Sequence, residues 1–239
     1  MRERWVIVNA DDFVRSAGVN RGVIETHERG IVTSASLMVR WPAAVEAAAD
    51  VRRRRELSVG LHMDLGEWTC HNGAWRPVYT VVPPHDEAAV AAEIGRQLET
   101  FRRLMGADPT HLDSHQHRHR LEPVRSVLAA TAARLGVPLR GACRHIRYTG
   151  AFYGQTPDGR AVPEATTPGA LLRTLSGLPP GITELGCHPG YADDLDTMYR
   201  AERAAEVAAL CDPGVRQALD RLGIRLVSFT ALRARVAAP

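Results

Sequence analysis

The stretch Trp5-Val6-Ile7-Val8-Asn9-Ala10-Asp11-Asp12 decides the reading of the fold. A short apolar run without helical spacing reads as a strand, and this one stops at two adjacent carboxylates. The same arrangement returns three times. Leu57-Ser58-Val59-Gly60-Leu61 stops at His62. Thr110-His111-Leu112 runs into Asp113, His115, His117 and His119. Ile182-Thr183-Glu184-Leu185-Gly186-Cys187 stops at His188. Strands that alternate with helices build a parallel sheet whose carboxyl ends emerge on one face, where α/β enzymes keep their chemistry. These distant side chains are therefore expected to converge as a carboxylate and imidazole cluster, the ligand set of a divalent metal.

Working outward, strand-like runs fall at 5–10, 32–39, 57–65, 110–115, 137–146, 182–187 and 224–229. Helix-like segments lie between them, at 19–29, 43–55, 86–105, 123–135, 168–175, 198–210 and 213–222. The clearest is 86–105, where Val90, Ile94, Leu98, Phe101 and Met105 recur at helical spacing. Pro123, Pro168 and Pro213 suit first-turn positions, and Gly30, Gly106, Gly136 and Gly223 suit stops. Alternation of this kind gives either a (β/α) barrel or an open doubly wound sheet. The polar strand ends are spread through the chain rather than gathered at one switch point, which favours a barrel-like parallel sheet of seven strands in a single α/β domain over residues 1–239.

Composition sets few further limits. The 239 residues are 45% hydrophobic with a net charge of +3, and acidic and basic residues are interspersed. The one basic run, Arg52 to Arg55, sits near a predicted helix end, where cations favour the macrodipole; neither a nucleic-acid nor a membrane partner is implied. No basic start leads into an apolar stretch, and no run reaches the roughly 18 apolar residues of a span, so a soluble cytoplasmic protein is expected. Cys70, Cys143, Cys187 and Cys211 share no CxxC spacing and read as reduced packing cysteines. Two segments, 66–84 and 150–169, break the rhythm as long irregular connections. They carry Trp68, His71, Trp75, Tyr79, Phe152, Tyr153 and Gln155 in a chain only 5% aromatic. Such loops serve as lids or binding loops, their rings offering flat faces for sugars or forming a minor core over the open end.

The paired Asp11 and Asp12 allow one carboxylate to bind metal while the other stays free as a general base; a turn or helix-capping pair before Ser16 is the bland alternative. His62 alone would be a packed histidine and gains meaning from its company. Along 111–119, strand alternation places His111, Asp113, His115, His117 and His119 on one side for as long as the strand persists. Asp113 is placed to accept the free ring N–H of a ligand histidine. Cys187 and His188 face opposite ways as strand neighbours, so His188 suits a proton donor better than half of a thiol dyad. One carboxylate with two histidines leaves coordination sites open for water and substrate, as hydrolytic metal sites require. Asp11 would take the proton of the attacking water, and His188 would protonate a departing amine.

Taken together, Asn9-Ala10-Asp11-Asp12-Phe13, Gly18-Val19-Asn20-Arg21-Gly22, the segment 30–38, Gly60-Leu61-His62, the segment 110–117, Phe152-Tyr153-Gly154-Gln155 and the segment 183–191 resemble, in order, the YdjC-like carbohydrate deacetylases. The resemblance implies a barrel-like α/β fold and removal of an N-acetyl group from an amino sugar or chitooligosaccharide. It puts the metal ligands at Asp12, His62 and His115, the general base at Asp11 and the general acid at His188. Asp113, His117, Tyr153 and Trp68 are left as supporting or substrate-binding candidates. It also implies Mg2+ and a homodimer, although two imidazoles and a carboxylate intrinsically suit Zn2+ or Mn2+ better. The chain departs from the family at Val14, where glycine is usual, and over Met63-Asp64-Leu65-Gly66-Glu67-Trp68. Hydrolysis of another small amide or ester, and an inactive sugar- or metal-binding homologue, are the competing readings. A nucleotide-binding Rossmann protein is disfavoured because no GxGxxG follows the first strand.

Overall fold

The chain opens with β1 (Arg4–Phe13), α1 (Ala17–Glu28), β2 (Ser34–Leu37), α2 (Ala44–Val51) and β3 (Ser58–Met63). It continues through β4 (Gly66–His71), β5 (Ala74–Thr80), α3 (Glu87–Met105), β6 (Leu112–Ser114), α4 (Val124–Leu135) and β7 (Ile146–Thr149). It closes with α5 (Pro168–Ser176), β8 (Gly181–Cys187), α6 (Ala201–Leu210), α7 (Pro213–Leu222), β9 (Ile224–Leu226) and α8 (Phe229–Ala237). This is a computed structural model, and residues 3–71 and 73–237 are described.

Seven strands pair in parallel in the order β6-β3-β2-β1-β8-β7, with β9 beside β1, and the sheet curls as a half-barrel. β1 is the axis. One edge pairs with β8 from Arg4↔Gly181 to Ala10↔Cys187. The other is shared, Arg4 to Val6 with β9 and Asn9 to Phe13 with β2. Val6, Ile7, Val8 and Ala10 are fully buried, as expected of a parallel strand covered on both faces. The register with β2 slips between Ala10 and Phe13, and Asp12 adopts φ 61°. That irregularity lets two adjacent carboxylates enter one cavity.

Helix ends follow the sequence signals. Ser16, Asp86, Thr167 and Asp212 cap their helices through side-chain oxygens, and Gly106, Gly136 and Gly223 end theirs in the left-handed region. Among the described residues no helix is long and apolar enough to cross a membrane.

Three expectations need correction. The run 137–146 is not one strand: Leu139 makes a single bridge to Leu112, Gly141 turns the chain at φ 72°, and β7 starts only at Ile146. Pro138 lacks the N–H a longer ladder would need. The segment 66–84 is not irregular, because β4 and β5 form an antiparallel hairpin; Asn72-Gly73 is a hairpin-turn signal. The histidine row does not persist as a strand. β6 ends at Ser114, and residues His115–Arg120 coil as a 3-10 segment with Gln116 and His117 at φ 48° and 53°, so alternation stops before His115, His117 and His119.

Close backbone contact fixes the exit of β8. Gly22 of α1 is buried, and a Cβ there would meet the Gly190 Cα at 2.4 Å, while the Tyr191 amide donates to the Gly18 carbonyl at 3.0 Å. Gly95 of α3, by contrast, has nothing within 4 Å of where its Cβ would stand. Replacing glycine by alanine inside a helix ordinarily stabilises by about 1 kcal/mol. Gly95→Ala is expected to follow that rule, and Gly22→Ala to reverse it with a loss of about 1–3 kcal/mol through overpacking. Urea midpoints of the two variants check this; a stabilised Gly22→Ala would contradict the packing.

Candidate metal centre and active site

Asp12, His62 and His115 come from the ends of β1, β3 and β6 and each offers one donor atom, all within 4.8 Å of one another. Asp12 Oδ1 lies 2.9 Å from His115 Nδ1 and 3.4 Å from His62 Nε2. His62 donates from Nδ1 to Asp113 Oδ1 at 2.8 Å, which fixes its tautomer and leaves Nε2 for a cation. His115 Nε2 is buried without a hydrogen-bond partner. One carboxylate, one oriented imidazole and one imidazole with an orphaned nitrogen fit a divalent transition metal. A second grouping, Asp11 with His62 and Asp113, does not fit, because Arg140 already stands 2.6 Å from both carboxylates.

The surrounding charges explain the ionisation of the cluster. Burial opposes the charge on Asp12, but His115 and Arg203 hold its carboxyl well below the usual carboxylate range. Burial likewise works against a charged His62, yet Asp113, Asp12 and Asp11 raise it to about 10. Asp11 accepts both terminal nitrogens of Arg140, at 2.6 and 2.7 Å, and the amide of Asn9 at 2.8 Å. Despite burial, that guanidinium keeps it lowered and ionised.

His188 follows β8 and points Nε2 at Asp11 Oδ2 across 3.8 Å. Burial pushes it down to about 4 despite Asp11 and Asp12, so it is neutral at neutral pH, and its Nδ1 has no partner. Glu206 of α6 takes the His188 amide at 2.5 Å and the Tyr199 hydroxyl, fixing the main chain that aims the ring. Cys187 donates to the Asn9 carbonyl at 3.3 Å inside the core, and burial raises its thiol; it is no partner for His188.

These groups open into a cavity of about 490 Å³, within the usual range for small-ligand sites. Trp68 and Tyr153 line it together with Trp75, Gln155 and Met198. Each of the first two has one face occupied. Arg118 lies 4.2 Å over Trp68, and Tyr199 stacks on Tyr153 at 4.6 Å. Gln116 clamps Trp68 by exchanging side-chain hydrogen bonds with both its amide and its carbonyl, at 2.9 and 2.7 Å, which ties the β4–β5 hairpin to the cavity rim. His117 lines the wall against Tyr148 and His119 and is carried away from Asp12. His111 lies deeper, stacked on Phe229 and bonded to Ser36.

Three buried charges escaped the reading of the sequence. Arg140 sits in the run 137–146, read as a strand with nothing to mark this side chain as buried. Arg203 and Glu206 lie in an alanine-rich helix where charged residues pass for a solvated face, although all three are at most 4% exposed. Glu67, in the hairpin, stands 4.0 Å from His115 Nε2 and is held by Arg15 and Thr197.

The YdjC-like protein family matches residues 5–221. The chain is 34% identical to a carbohydrate deacetylase of Geobacillus stearothermophilus over 95% of its own length and 97% of that protein. It is 30% identical to a chitooligosaccharide deacetylase of Klebsiella pneumoniae (strain 342), over 95% and 98% respectively. The crystal structure of an Enterococcus faecalis V583 protein named for cellobiose-phosphate cleavage superposes with a TM-score of 0.76 at 25% identity, covering 96% of this chain and 99% of that one. On the extent of the family match and the near-complete overlap with these relatives, the chain belongs to the YdjC-like family.

Proposed function

We propose that the protein is a metal-dependent hydrolase that removes an N-acetyl group from an amino sugar or chitooligosaccharide-like substrate. The observation that carries this is the convergence of Asp12, His62 and His115 beside Asp11 and His188 at the floor of one cavity. Deacetylases among the relatives supply the substrate class. Asp12, His62 and His115 would hold the cation, which when bound acidifies water and polarises the acyl carbonyl. The two imidazoles favour Zn2+ or Mn2+ over Mg2+.

The chain's own groups then divide the proton work. Water adds its oxygen to the acyl carbon and yields its proton to Asp11, which stays ionised on Arg140 until that moment. Neutral His188, 3.8 Å away, receives the proton from Asp11 and delivers it to the amine nitrogen as the C–N bond breaks. A proton relay of this kind suits a histidine that burial keeps neutral at rest.

Three measurements test the reading. Asp11→Asn should keep metal affinity within about threefold but lose about 10²–10⁴ in kcat, whereas Asp12→Ala, His62→Ala and His115→Ala should lose the metal itself. An Asp11→Asn variant as active as the parent would remove the base assignment. Metal binding should also compete with a proton. Against burial, Asp113, Asp12 and Asp11 push His62 up to about 10 in the metal-free protein, and it must be neutral to ligate, so binding near pH 8 should release about one proton. Affinity should weaken as pH falls, as calorimetry across a pH series would read; affinity unchanged down to about pH 5 would exclude His62 as a ligand. Finally, acetate release should occur from N-acetylglucosamine oligomers with metal supplied, and release from simple acetamides alone would remove the sugar assignment.

A further inference from the structure

Arg203 stands at the third residue of α6 and is only 2% exposed. Its guanidinium meets three acceptors from three parts of the chain. One terminal nitrogen lies 2.5 Å from Asp12 Oδ2, Nε donates to the Tyr199 carbonyl at 2.9 Å, and the other terminal nitrogen donates to the His188 carbonyl at 3.4 Å. The backbone joins in, since the Gly190 amide donates to the Arg203 carbonyl at 3.3 Å.

The two oxygens of Asp12 are thereby divided. Oδ1 faces both imidazoles, at 2.9 and 3.4 Å, and Oδ2 faces a permanent cation. A free carboxylate can chelate through both oxygens, whereas one held in a charge-assisted hydrogen bond presents a single oxygen. The charges point the same way. Asp12 with two neutral imidazoles offers a metal one negative charge, and Arg203 cancels it at hydrogen-bond distance. A cation in that field is held less tightly and retains more of its power to polarise a carbonyl. Among the described residues the two acidic neighbours on the same helix are engaged elsewhere by hydrogen bonds: Glu206 by the His188 amide and the Tyr199 hydroxyl, and Glu202 by Gln155 and the Arg200 amide.

We propose that Arg203 is a positioning residue that restricts Asp12 to one metal-facing oxygen, weakening cation affinity while strengthening the bound cation as an electrophile. The inference rests on Asp12, His62 and His115 being the metal ligands. It adds to that reading a buried group that sets the donor strength of the ligand set and, through the His188 and Gly190 main chain, couples it to the loop carrying the proton donor.

The test uses the full chain and Zn2+ as the probe, with affinity read by competition against a chromogenic chelator. Arg203→Met should bind Zn2+ about tenfold or more tightly than the parent. Its metal-free form should melt at lower temperature and recover on adding Zn2+. With an N-acetylglucosamine oligomer, kcat should fall about tenfold or more while KM stays within about threefold. Arg203→Lys keeps the charge and should keep parental affinity and recover part of kcat. If Arg203→Met does not fold, Arg203→Gln keeps a donor for Asp12 without the charge and should show the same rise in affinity. Equal or weaker Zn2+ binding by the uncharged variants would overturn the proposal, as would tighter binding with unchanged kcat. Asp12→Ala measured alongside separates the two levels: if it binds Zn2+ like the parent, the metal-centre reading itself fails. If only the Arg203 variants misbehave, that reading stands.

Discussion

The guanidinium of Arg140 is the contact on which the rest of the site depends. It is fully enclosed and joins carboxylates from three strands, Asp11 of β1 at 2.6 Å, Asp113 of β6 at 2.6 Å and Glu184 of β8 at 2.6 Å. A carboxylate stranded at that depth would cost about 3–5 kcal/mol, and three cannot coexist there without a shared counter-charge. Burial still pushes Glu184 up to about 7 against the pull of Arg140, so the compensation is tightly limited. From this centre the order passes outward. Arg140 orients Asp11 and Asp113, Asp113 orients His62, and His62 faces Asp12. A second guanidinium, Arg203, meets Asp12 from the opposite side, so the cluster is bounded by a buried cation at each end.

Backbone strain accompanies these charges. Asp12 and Val14 hold φ 61° and 87°, a region that costs an L-residue about 1–2 kcal/mol and a β-branched one more. At Val14 the turn holds a conformation that glycine would adopt without strain. Two things offset the strain: the side chain is wholly buried in the main core, a contribution of about 1.5–3 kcal/mol, and Asn20 accepts the Val14 amide at 2.8 Å. Gln116 and His117 repeat the left-handed conformation on the facing wall, where Gln116 pins the hairpin through Trp68. Strained residues thus flank the ligands on both sides, at the points where the chain must leave its strand to bring side chains inward.

Much of this was legible in the residues. The apolar run at 5–8 and the short strand-like stretch at 182–187 mark β1 and β8, and capping residues and glycines mark the helices. The strand-end positions of Asp11, Asp12, His62 and His188 place them on one rim once the sheet is parallel. The histidine-rich stretch was less transparent. Alternation predicts a single row, and the left-handed pair at 116 and 117 breaks it, sending His115 to Asp12 and His117 to Tyr148. The hairpin at 66–80 was signalled by Asn72-Gly73 but hidden by mixed polarity and by Pro77, because β5 is largely exposed and is not patterned by burial in the core.

The sequence by itself determined the alternation of elements and the residue types at the strand ends, because period and capping are local properties. Only the tertiary structure decided which charges face one another. A buried arginine and a solvated one have the same letter, and what separates Arg140 and Arg203 from the surface arginines is desolvation together with the Coulomb energy of carboxylates brought in from the strands, Asp11 and Asp12 lying more than a hundred residues away.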